Sequence, residues 1–78
     1  MTRPNNIRPA RAMKFLEDNG WELYNKRGTH MTYAKKDETT GRTMFCQVIV
    51  NNKTIYWKNA KEMIKKSRIP EDEWLANC

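Results

Sequence analysis

Apolar residues recur at Ala12, Phe15 and Leu16, with Met13 beside them, while Lys14, Glu17 and Asp18 face elsewhere. This i, i+3, i+4 spacing predicts an amphipathic helix of about three turns. Asn6 stands at the capping position, and Pro9 falls in the first turn, where its missing N–H is harmless. Gly20 follows where a helix stop wants a positive φ. The period then changes to two. Trp21, Leu23 and Asn25 alternate with Glu22, Tyr24 and Lys26, which predicts a strand. Arg27-Gly28-Thr29 reads as a tight turn and residues 30–36 as a second strand. The polar run Asp37 to Arg42 reads as a hairpin loop. Residues 43–50 give the strongest strand pattern, with Met44, Cys46, Val48 and Val50 on one face. Asn51-Asn52 punctuates the chain, and Thr54 to Trp57 reads as a possible short fourth strand.

A second helix is expected from Asn59, whose N-x-x-E spacing to Glu62 resembles a capping box. Ala60, Met63 and Ile64 form its narrow apolar stripe, and Lys61, Lys65, Lys66 and Arg68 fill the rest of its surface. Ile69-Pro70 ends it. Glu71, Asp72 and Glu73 suit the start of a last short helical turn carrying Trp74 and Leu75. Both helices have one apolar face, so they fit one side of the sheet. The expected fold class is α+β: a two-layer sandwich of three or four antiparallel strands under helices, its other sheet face open to solvent.

Size changes this picture little. The 78 residues form a single domain over 1–78, with 1–6 read as a flexible start and 70–78 as an acidic tail. No apolar run approaches the roughly 18–20 residues of a membrane span, and the N-terminus lacks the apolar core of a secretory signal. Cys46 and Cys78 are too few for a disulfide framework. With a single histidine, no paired ligand set for a metal is expected, so both are read as free thiols of a cytoplasmic protein.

Charge adds more. The net charge is +6, and it is clustered. Residues 1–36 carry +5, residues 37–50 carry −1, residues 51–69 carry +5 and residues 70–78 carry −3. Two basic segments and an acidic tail point to a polyanion-facing surface, with solvated lysines as the bland alternative.

The one histidine, His30, opens the second strand. Met31 and Tyr33 are the bulkier apolar pair on that strand and belong against the helices, so His30 and Thr32 face the open side. Lys26 and Arg27 precede it across the turn, Lys35 and Lys36 follow, and Arg42 lies in the next loop. Imidazole titrates near neutral pH and can accept the proton of a 2′-hydroxyl while cations hold the adjacent phosphate. Tyr24 and Tyr33 are the candidate proton donors to the leaving oxygen. Tyr56 can stack on an unpaired base, whereas Trp57, sharing parity with Ile55, reads as core.

The runs Leu16-Glu17-Asp18-Asn19-Gly20-Trp21-Glu22-Leu23 and Arg27-Gly28-Thr29-His30-Met31-Thr32-Tyr33 resemble the HicA family of mRNA interferase toxins. Ile64, Ile69 and the acidic stretch before Trp74 extend the likeness over about residues 8–76. It implies an αβββα domain similar to double-stranded-RNA-binding domains, which the residue pattern predicts independently. It also implies a type II toxin–antitoxin role: cleavage of mRNA with His30 as the catalytic residue, no cofactor, and a HicB-like antitoxin covering the active face. Lys26, Arg27, Gly28, Thr29, Lys35, Lys36 and Arg42 are then the RNA-binding candidates. Residues 48–59 depart from the family pattern, with an aromatic pair where a histidine is usual. Thr29 stands where Ser is commoner, and the insertion after Lys36 is longer. Two alternatives stay open: a non-catalytic RNA-binding module, and a phage-type inhibitor that presents this fold to a protein.

Overall fold

The computed structural model describes residues 7–51 and 53–77. The expectations placed on residues 1–6, on the capping Asn6, on Asn52 and on Cys78 lie outside the described residues. The element order is α1 (Pro9–Asp18), β1 (Glu22–Arg27), β2 (His30–Lys36), β3 (Thr43–Ile49), α2 (Trp57–Ser67) and α3 (Glu71–Asn77). The strands form one antiparallel sheet in the order β1-β2-β3. This is the α+β architecture that the apolar pattern predicts.

The core lies between the sheet and the helices. Met31 and Tyr33 of β2 and Cys46 and Val48 of β3 are buried, together with Ala12 and Leu16 of α1, Ala60, Met63 and Ile64 of α2, and Trp74 of α3. Trp21 enters the same cluster. Phe15 meets Trp74 edge to face at 4.6 Å between ring centroids, which ties α3 to α1. No helix among the described residues is long and apolar enough to cross a membrane.

Several expectations are corrected. Thr54 to Trp57 is not a strand, because α2 starts at Trp57. Ile55 donates a single backbone hydrogen bond, to Ile7 O at 2.8 Å, and is buried. Ile55 and Ala60 occupy the N′ and N4 positions of a hydrophobic staple, so apolar burial sets the helix entry. Asn59 is therefore the third residue of α2 and caps nothing, and the N-cap is Tyr56 without a side-chain hydrogen bond. The N-cap of α1 is Arg8, with Pro9 directly after it. Trp57 is half-buried rather than core, with the ammonium groups of Lys58 and Lys61 about 5.6 and 6.0 Å from its ring. Strand β1 does not alternate cleanly. Its register slips between Leu23 and Asn25, so a bulge at Tyr24 moves Asn25 to the face opposite Leu23.

Two buried acids make this core sensitive to alkali. The Tyr33 hydroxyl donates to Glu17 Oε2 at 3.0 Å. Burial, helped by that carboxylate, pushes the phenol from 10.0 up to about 12. Burial likewise pushes the Cys46 thiol from 9.0 up to about 12, against the opposing charge of Lys66. Both groups lose a proton more readily in the unfolded chain. Their contribution to stability is complete below about pH 9 and is lost as pH rises from there towards 12. Thermal melts between pH 8 and 12 should show this decline, and Tyr33→Phe should flatten its upper part. A melting temperature constant to pH 12 would refute the linkage.

Candidate nucleic-acid interface

His30 owes its position to the turn before it. Arg27 and His30 are register partners, joined by the two-residue connection Gly28-Thr29. Gly28 has φ 59°, a left-handed value at the first central position, where tight hairpins of the II′ kind require glycine. Val50 N donates to Thr29 O at 2.9 Å, so the end of β3 clamps the same turn. His30 is thereby fixed at the start of β2 with its side chain exposed.

The open sheet face is a grid of cross-strand rows, since directly paired residues share a face. The first row is Arg27, His30 and Ile49. The second is Asn25, Thr32 and Gln47. The third is Glu22, Ala34 and Phe45, over which Tyr24 leans to meet Phe45 at 5.2 Å between ring centroids. Lys36 and Thr43 close the far end. Cβ atoms of directly opposed residues lie roughly 4.5–5.5 Å apart, so a guanidinium and an imidazole reach one phosphodiester placed over the first row. The second row adds three uncharged hydrogen-bonding side chains beside it.

The structure separates the other expected site residues. Gly28 and Thr29 form the turn itself. Lys26 pairs with Met31, which is buried, so Lys26 projects on the helix side of the sheet. Lys35 also projects there, and its ammonium donates to Asn19 O at 2.7 Å. It closes the C-terminal end of α1, where a cation suits the helix dipole. Lys36 lies six positions along β2 from His30, about 20 Å at roughly 3.3 Å per residue, and Arg42 lies beyond it. Tyr56 is exposed as expected, but it stands at the start of α2, off the sheet grid. Of the two tyrosines, Tyr33 is buried against Glu17 on the helix side, and Tyr24 lies in the third row. Neither adjoins His30.

Asn25 was missed as a site residue. Strict alternation from Trp21 assigns it to the helix side, and only the bulge at Tyr24 turns it over. Gln47 needed the β2–β3 register, which nothing local in the sequence sets. Comparison with protein-family models and with curated proteins gave no match.

Proposed function

We propose that this protein is a HicA-like ribonuclease that cuts mRNA without a metal, with His30 as general base. The observation that carries the reading is the pairing of exposed His30 with Arg27 on an open sheet face, both fixed by the Gly28-Thr29 turn. In the proposed step the imidazole takes the proton of a 2′-hydroxyl. The freed oxygen attacks the adjacent phosphorus and the P–O5′ bond breaks. The products are a 2′,3′-cyclic phosphate and a 5′-hydroxyl, whose proton comes from solvent or from the imidazolium. Arg27 offsets the charge that gathers on the phosphoryl oxygens. Asn25, Thr32 and Gln47 are placed to hold neighbouring sugar or base atoms. The same resemblance makes a HicB-like antitoxin the partner that covers this face, in the cytoplasm.

A second reading is favoured by one observation, the exposed Tyr24–Phe45 pair, which suits binding without cleavage. The test is incubation of the purified protein with 5′-labelled mRNA in excess EDTA. Discrete cuts ending in cyclic phosphate are expected. Intact RNA, bound with a measurable Kd, would transfer the reading to the non-catalytic module.

A further inference from the structure

The strongest unassigned feature is the seam between β3 and α2. A groove of about 490 Å³ opens there, and Arg42, Lys65, Lys66 and Arg68 line it with Phe45 and a single acid, Asp37. That acid is already engaged. Its carboxylate accepts Thr39 N at 3.0 Å and meets the Arg68 guanidinium at 3.4 Å. Arg68 is the one non-glycine residue at positive φ among the described residues, at 60°. A left-handed backbone costs an L-residue roughly 1–2 kcal/mol. The conformation is the left-handed C-cap that ends α2, and the side chain it carries stays 68% exposed at the groove. Phe45 forms part of the wall and is 46% exposed, braced by Tyr24. Lys66 also lines a second hollow along the same seam, with Gln47, Ile49 and one acid, Glu62, on α2. Ile49 is the register partner of His30. The seam thus runs about 20 Å along β3, from the cations to the edge of the first row.

We infer that this seam is a track for a single strand of nucleic acid, with phosphates on Lys65, Lys66 and Arg42 and an unpaired base on Phe45. A cationic groove alone would suit any polyanion. An exposed, braced aromatic ring within it selects unstacked bases, as sequence-tolerant single-strand binders do. The inference rests on the ribonuclease reading only in where the track leads, since the first row is where that reading puts the chemistry.

The test uses a fluorescein-labelled ten-nucleotide 2′-O-methyl oligouridylate, which has no free 2′-hydroxyl and cannot be cut by the proposed step. Anisotropy is followed between 50 and 200 mM salt. The substituted residues Arg42, Phe45, Lys65 and Lys66 are all exposed, so the fold should survive, which thermal melts check. Arg42→Ala/Lys65→Ala/Lys66→Ala should lower the salt slope by about 2, at roughly 0.7 per phosphate contact on a single strand. Phe45→Leu should weaken binding about tenfold, within the range of one lost stacking contact. An unchanged salt slope in the triple variant, wild-type affinity in Phe45→Leu, or equal competition by decaglutamate would each overturn the track. Failure of the EDTA cleavage assay would remove the ribonuclease reading and leave these binding results standing.

Discussion

Trp74→Ala should cost about 3–5 kcal/mol of stability, the usual toll for truncating a fully buried aromatic side chain. A 78-residue domain has only about 4–12 kcal/mol in total, at roughly 0.05–0.15 kcal/mol per residue. The variant is therefore expected to be largely unfolded at modest urea concentrations, with a lower midpoint at unchanged slope. Trp74 is 0% exposed although it lies on the last short helix, and its ring packs edge-on against Phe15. Its indole N–H donates to Ser67 Oγ at 3.0 Å. Ser67 Oγ donates in turn to Ile64 O at 2.7 Å and accepts Ile69 N at 3.2 Å. This buried hydroxyl thus joins the end of α2, the Ile69-Pro70 link and α3. Ser67→Ala strands the indole N–H and should cost about 1–3 kcal/mol. Trp74→Phe removes the donor and keeps most of the ring, so Ser67→Ala/Trp74→Phe should cost less than the sum of the two singles. A Trp74→Ala midpoint close to the wild type would mean that α3 is not part of the cooperative core.

That hub marks where sequence reading stops. The sequence sets Trp74 only on a last short acidic turn, because nothing local reveals that Phe15 and Ser67 close around it. The elements governed by local pattern are legible: the α1 stripe, the uninterrupted Met44-Cys46-Val48 face, the Gly28 turn and the side on which His30 lies. Features set by long-range packing are not. The start of α2 follows burial of Ile55 beside Ile7 rather than the Asn59 spacing. The Tyr24 bulge reverses Asn25 with no glycine or proline to announce it. Lys35 looks like one more phosphate contact until Asn19 O is found 2.7 Å away. Charge clustering is visible in sequence, but which cations share a face depends on register. The seven basic and turn residues expected around His30 reduce to Arg27 and its two-residue turn.

His30→Ala should lower the rate of mRNA cleavage about 10²–10⁴-fold, the range that a positioned general base supplies. On the proposed ribonuclease reading the loss should fall mainly on kcat, because there the imidazole acts on a proton while Arg27 holds the phosphate. Arg27→Ala should remove a charge-assisted contact worth about 1.5–3 kcal/mol, equivalent to roughly 10–160-fold in kcat/KM. Arg27→Lys should restore part of that, since a point charge remains and the planar fork is lost. Lys35→Ala is the discriminating comparison. Were all cations near His30 in sequence alike in function, it would slow cleavage as Arg27→Ala does. Its ammonium instead closes the end of α1, so the expected result is a lower melting temperature and an unchanged rate in the folded protein. Cleavage that survives His30→Ala would place the chemistry elsewhere. A rate lost equally in Lys35→Ala and Arg27→Ala would mean that the two faces of the sheet are not as separate in action as in the fold.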